Sequence, residues 1–135
     1  MTFKRVMTNG CYDIIHVGHL ALFKFAYSIS SNLHIAIDSD YRVKTSKGGN
    51  RPINPQEDRK LMLESIKYVD SVSVFSSDEE LKKTIVDNKI DYLIIGSEYK
   101  NKNIIGKDLV EKVIFFDRIP KYSTTNLIQS IINRG

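Results

Sequence analysis

The chain has 135 residues, 41% hydrophobic and 27% charged, which is the length and composition expected of one globular domain, residues 1–135, burying a single core without staples. Its 20 Lys+Arg against 16 Asp+Glu give a formal charge of +4, a mild and dispersed excess that argues against a nucleic-acid surface. No apolar run approaches the ~20 residues of a membrane helix, the start Met1-Thr2-Phe3-Lys4-Arg5-Val6 lacks a signal-peptide pattern, and one cysteine excludes an internal disulfide framework; a cytoplasmic enzyme with no membrane partner is the expectation.

Phe3 to Met7 reads as a first strand, and Leu20 to Tyr27 as a helix. Between them lies Thr8-Asn9-Gly10-Cys11-Tyr12-Asp13-Ile14-Ile15-His16-Val17-Gly18-His19. A strand, a Gly-containing turn and a helix opening with two histidines make an anion site, because backbone N–H groups and the positive dipole end face the ligand. His16 and His19, three apart, share one face if the first turn is helical. A zinc pair or two helix-cap histidines are the plainer alternatives, and a metal site would want further ligands at ordered spacing. The remaining candidates are only His34 and Cys11. Cys11 is either a small filler in a tight turn or a reactive thiol beside the site.

Leu33 to Ile37 reads as a buried strand ending in Asp38-Ser39-Asp40, with His34 an ordinary strand residue near an edge. Residues 41–53, rich in Lys, Gly, Ser and Asn, read as a mobile loop in which Gly48 and Gly49 give freedom and Lys44 and Lys47 give charge. It is a flap over a triphosphate or a solvated surface loop. Arg42, Lys44, Lys47 and Arg51 together suit a phosphate-rich small ligand. Asn54-Pro55-Gln56-Glu57 reads as a helix start, with Asn54 as cap, Pro55 at the first helical position and Glu57 reaching back. Leu61, Met62, Leu63 and Ile66 give that helix its apolar side, leaving Arg59 and Lys60 outward or toward the site.

Asp70 to Phe75 alternates as a third strand, and Ser77-Asp78-Glu79-Glu80 opens a helix running to about Asn88. Asp91 to Ile95 is a fourth strand that delivers Gly96-Ser97-Glu98-Tyr99, and Lys112 to Phe116 is a fifth. The chain closes with an amphipathic helix, Asn126 to Ile132, capped by Ser123 or Thr124. Five strands alternating with helices imply an α/β fold, a doubly wound five-stranded parallel sheet with ligands at the strand C-terminal ends.

His16-Val17-Gly18-His19 matches the H-x-G-H signature, and with the surrounding Gly-x-Tyr-Asp-x-x-His the chain resembles the nucleotidyltransferase superfamily. Met7-Thr8-Asn9-Gly10, Ser39-Asp40 followed by Lys44 and Lys47-Gly48, Arg51-Pro52-Ile53-Asn54-Pro55 and Ser123-Thr124-Thr125-Asn126 resemble the heptose 1-phosphate adenylyltransferase domain of the ADP-heptose synthase family. Residues Arg59 to Asp70 also resemble the glycerol-3-phosphate cytidylyltransferases, the second group. Ile95-Gly96-Ser97-Glu98-Tyr99 departs from the Lys-Gly-Gly-Asp-Tyr of the heptose enzymes, and Ile119-Pro120-Lys121-Tyr122 departs from the Thr-Glu-Gly-Ile of the cytidylyltransferases.

The resemblance implies a Rossmann-like nucleotidyltransferase. It would move AMP, ahead of CMP, from a nucleoside triphosphate to a sugar or polyol phosphate for surface polysaccharide, releasing pyrophosphate. His16, His19 and Lys44 would be catalytic. Asn9, Gly10, Cys11, Tyr12, Lys47, Gly96, Arg118, Ser123, Thr124 and Thr125 would bind nucleotide, and Asp13 and Arg51 would bind substrate. Mg²⁺ would be held through the phosphates, with Asp13 either an outer-shell partner or a cap for backbone groups of the turn. A homodimer is compatible with the resemblance. A glycerol-3-phosphate-type cytidylyltransferase, a non-catalytic nucleotide-binding regulatory module on the same fold and a basic nucleic-acid-binding domain are the alternatives.

Overall fold

The structure, a computed structural model, describes residues 3–117 and 124–134. Five strands, β1 (Arg5–Gly10), β2 (Asn32–Asp38), β3 (Ser71–Phe75), β4 (Tyr92–Gly96) and β5 (Lys112–Phe116), form one sheet in the order β3-β2-β1-β4-β5. All four pairings are parallel. The helices are α1 (Val17–Ile29), α2 (Asp40–Lys47), α3 (Gln56–Glu64), α4 (Asp78–Asp87) and α5 (Thr124–Arg134). The chain builds outward from β1 to β3, then crosses back to lay β4 on the other side of β1. That reversal puts a crevice between the C-terminal ends of β1 and β4, where open α/β sheets bind ligands.

Strand alternation sorts the core into two layers. Val6, Leu33, Ile35 and Ile37 point to one face and pack with Phe23 and Ala26 of α1 and Leu63 of α3. Met7, Ala36 and Leu93 point to the other and pack with Leu81 and Ile85 of α4. Both layers follow from right-handed crossovers: connections running one way across the sheet cover one face, and those running back cover the other. Each fully buried Leu, Ile or Phe contributes about 1.5–3 kcal/mol against its exposed state.

Four local readings need correction. Residues 41–53 are not one loop, since α2 occupies Asp40–Lys47. Ser39 caps it by accepting from the Arg42 N–H, Asp40 sits in its first turn, Lys44 and Lys47 in its last, and Gly48 ends it at φ +101°, where a side chain would strain. Second, α3 begins after Pro55, which holds the cap position without a side-chain bond; the Asn54 Nδ2 donates instead to the Asp13 carbonyl at 2.6 Å. Third, Leu61 and Met62 face solvent, at 64% and 60% exposure, while Arg59 is wholly buried. Finally, His34 lies on an interior strand, 7% exposed, its ring nitrogens 2.7 Å from the Ser71 and Ser73 hydroxyls of β3.

Candidate active site

β1 runs on to Gly10, paired residue for residue with β2 up to Ile37, so Thr8, Asn9 and Gly10 are strand rather than turn. Tyr12 then turns the chain at φ 51°, a left-handed conformation that is costly for a side-chain-bearing residue. Its ring folds back over Gly10, where an added Cβ would stand 3.1 Å from the ring, a tight contact that the ring would have to yield to. The same ring meets His19 edge-on, centroids 5.0 Å apart, and leans on Phe23 at 5.3 Å.

His16 is the N-cap of α1. Its Nδ1 accepts from the Gly18 N–H at 3.1 Å, and the His19 Nδ1 accepts from the His16 N–H at 3.2 Å, a capping box built of imidazoles. The rings stack with centroids 3.8 Å apart. The plain reading of cap histidines is therefore true of the Nδ1 atoms, and it has a chemical consequence. A nitrogen that accepts carries no proton, so each neutral ring holds its proton on Nε2 and is a donor there.

Behind this turn lies a polar frame. The Arg59 guanidinium donates to the carbonyls of Cys11 (2.9 Å), Asp38 (2.8 Å) and Asn54 (3.0 Å) and pairs with Asp40 at 2.8 Å. One buried fork thus ties the ends of β1 and β2 to the starts of α2 and α3. The Asp13 side chain, 0% exposed, accepts from the Ile53 and Asn54 N–H groups and from the Arg51 Nε at 3.1 Å. Burial works against its ionisation, but those backbone N–H groups and Arg51 outweigh it and hold the carboxyl below its ordinary value. Asp13 thus clamps residues 51–54 and does not line the cavity described next. Arg51 shares the clamp, stands outside the cavity described next, and keeps its Nη2 buried without a hydrogen bond among the described residues.

A cavity of about 460 Å³ opens at the crevice. Asn9, Gly10, Cys11, Tyr12, His16, His19, Lys47, Gly96 and Thr125, all expected at the site, line it together. Lys44 does not line it and is exposed one turn back on α2. Arg118 and Ser123 lie outside the described residues, as does the Thr124 side chain, so the cap expected of Ser123 or Thr124 falls outside them too. Glu98 also faces the cavity, its carboxylate filling the space above Gly96, where any Cβ would collide with it.

Asp38, not singled out from the sequence, lines the cavity too. Its Oδ1 accepts from the Arg42 Nε at 2.9 Å, and Arg42 reaches on to Asp78 at 2.8 Å. Burial raises the Asp38 carboxyl, with Arg42, Lys47 and Arg59 pulling the other way. Burial likewise pushes the Cys11 thiol up, against Lys47 and Arg59. Among the described residues no group of three or more His, Cys, Asp or Glu could hold a metal ion, and no helix is long and apolar enough to cross a membrane.

The family model for cytidylyltransferase-like proteins matches residues 7–130, nearly the whole chain and all of the cavity lining. The chain belongs to the cytidylyltransferase-like family. Within it, the chain is similar to the bifunctional protein HldE of Campylobacter fetus, 41% identical over 128 residues, and of Helicobacter hepaticus, 41% over 130. The matches cover 93% and 95% of this chain but 27% and 26% of those proteins, so it spans about a quarter of their length. These findings bear out the family resemblance, and a nucleotidyltransferase is the enzyme class it carries. In fold the chain is similar to a lipopolysaccharide core biosynthesis protein of Thermoplasma volcanium, with a TM-score of 0.69 at 23% identity over 90% of this chain and 100% of that one. An Archaeoglobus fulgidus protein of unknown function gives a TM-score of 0.64 at 15% identity over 88% and 93%.

Sequence reasoning missed Asp38, and of the two placements it left open for Arg59, outward or toward the site, the structure takes the second. Arg59 carried a signal as the first residue of the family-like stretch Arg59 to Asp70 and as a charge within three positions of the apolar Leu61, Met62 and Leu63. Asp38 carried one only as the last residue of its strand.

Proposed function

We propose that this domain transfers AMP from ATP to the phosphate of a sugar phosphate of the heptose 1-phosphate type, with release of pyrophosphate. An acceptor phosphate oxygen forms a bond to the α-phosphorus while the bridging oxygen between α and β leaves with pyrophosphate. No covalent protein intermediate is needed, and catalysis is positioning plus neutralisation of developing charge. The observation that carries this reading is the pair of stacked imidazoles, their Nδ1 atoms accepting as caps of α1, that line the cavity at the C-terminal ends of β1 and β4. Lys47 supplies the cation across the cavity, and Lys44, one turn away, reaches the site if α2 moves inward on the ligand. Arg118 and the Ser123-Thr124-Thr125 run take the β and γ phosphates.

A Mg²⁺ would be held by the triphosphate oxygens, the usual mode for this ion at a nucleotide site. Bound there, the ion supplies charge neutralisation on the leaving pyrophosphate. AMP is placed ahead of CMP on the likeness of Arg51 to Pro55 to the heptose enzymes. A pyrophosphate-release screen of ATP, CTP, GTP and UTP against heptose 1-phosphate, mannose 1-phosphate and glycerol 3-phosphate tests the reading. The expected result is release with ATP and a sugar 1-phosphate, and silence across the whole panel would refute it.

A further inference from the structure

Resting on the proposed transfer, we infer that Asp38 and Lys47 form the acceptor subsite, in which Lys47 holds the acceptor phosphate and the Asp38 carboxylate receives hydroxyl groups of the acceptor's carbon skeleton. Asp38 ends β2 and lines the same cavity as His16, His19 and Lys47. Its side chain is 23% exposed. One carboxylate oxygen, Oδ1, is fixed by Arg42; among the described residues Oδ2 takes no hydrogen bond. The Arg42 guanidinium is itself pinned, by Asp78 on α4 and over the Phe75 ring at 5.0 Å, so the carboxylate is held in one orientation.

A carboxylate in this place is poorly suited to phosphate, since two anions in a half-enclosed cavity repel at short range. The part of the ligand it faces is therefore neutral and rich in donors. Hydroxyls of a polyol or sugar meet both conditions, and a carboxylate with an open oxygen accepts from them with charge-assisted strength. Lys47 lines the same cavity, and its charge acts on Asp38 and Cys11 alike. A cation for the phosphate and an anion for the hydroxyls in one cavity match a hydroxylated phosphate monoester. It does not match an unsubstituted alkyl phosphate.

The test is calorimetric binding with no turnover, using wild type, Asp38→Asn, Asp38→Ser and Lys47→Ala, each checked for fold by thermal melting. The probes are mannose 1-phosphate, glycerol 3-phosphate and hydroxyl-free n-propyl phosphate, each with the α,β-methylene analogue of ATP and Mg²⁺ present. Loss of a hydrogen bond to a charged group predicts that both Asp38 variants bind the hydroxylated probes about ten- to hundredfold more weakly while n-propyl phosphate and the ATP analogue change by less than about twofold. Lys47→Ala weakens hydroxylated and hydroxyl-free phosphates alike. Equal losses for mannose 1-phosphate and n-propyl phosphate in the Asp38 variants would overturn the assignment, as would unchanged binding, a weakened ATP analogue, or a wild type that binds neither hydroxylated probe. Because pyrophosphate release is measured separately, loss of the acceptor subsite and loss of the transfer reading are distinguishable.

Discussion

The Arg59 guanidinium donates to the Cys11 carbonyl at 2.9 Å across 48 residues of sequence. Its side chain is 0% exposed, and its other contacts are the Asp38 and Asn54 carbonyls and the Asp40 carboxylate. Removing it strands four acceptors at once, so Arg59→Met is expected to cost about 3–5 kcal/mol in urea unfolding. Arg59→Lys is expected to recover little of that, because an ammonium has no planar fork to serve carbonyls on separate elements. A fully stable Arg59→Met would show that the frame does not hold the site.

The imidazole capping box separates folding from chemistry. Asn is a good N-cap, so His16→Asn is expected to melt close to wild type, whereas His16→Ala loses about 1 kcal/mol. Both variants, and His19→Ala, are expected to lose on the order of 10²–10³ in kcat. Wild-type turnover in His16→Asn would reduce His16 to a structural cap.

Two buried groups set two pH windows. Burial lowers the His34 imidazole from its ordinary 6.5, against the pull of Asp70. The folded chain then binds fewer protons than the unfolded chain below 6.5, so stability falls as the pH drops through that value toward the folded pKa. Asp13, lowered from 3.8, contributes stability that is complete above 3.8 and is lost only at more acid pH. Urea unfolding of wild type and His34→Gln, compared between about pH 7.5 and about pH 5.5, is expected to show a slope in wild type that the variant lacks. Parallel curves would contradict it.

Gly48, Gly49 and Asn50 are exposed, while Ile53 and Asn54 are clamped by Asp13. Limited proteolysis is therefore expected to nick the chain between Lys47 and Arg51 and not beyond. ATP with Mg²⁺ is expected to slow that cut, because Lys47 lies on the cavity wall. An unchanged rate would argue that α2 does not close on the triphosphate.

What was legible in the sequence was local. The H-x-G-H stretch, the five apolar runs and the Ser77 helix start each lie within one window, and β5 falls on the expected residues, Lys112–Phe116. The α2 segment was hidden by composition: Lys, Ser and Gly outweighed the Ser39-Asp40 start, yet a cap and a favourable dipole suffice for a two-turn helix seated on the buried Val43. Asn54 was misread because a tertiary partner, Asp13, won over the local capping box. The bonds that bury Arg59 were illegible because three of its four acceptors are backbone carbonyls, which no side-chain pattern reveals.

The measurement that tests the central claim most directly is ³¹P NMR of the purified chain with ATP, Mg²⁺ and heptose 1-phosphate. The account predicts a new pair of coupled diphosphate-diester resonances growing in step with pyrophosphate, with CTP a much poorer donor because a site built to hydrogen-bond one base leaves its polar groups unpaired against the other. Pyrophosphate without a new diester, or no change beyond slow release of inorganic phosphate, would contradict nucleotidyl transfer at this site.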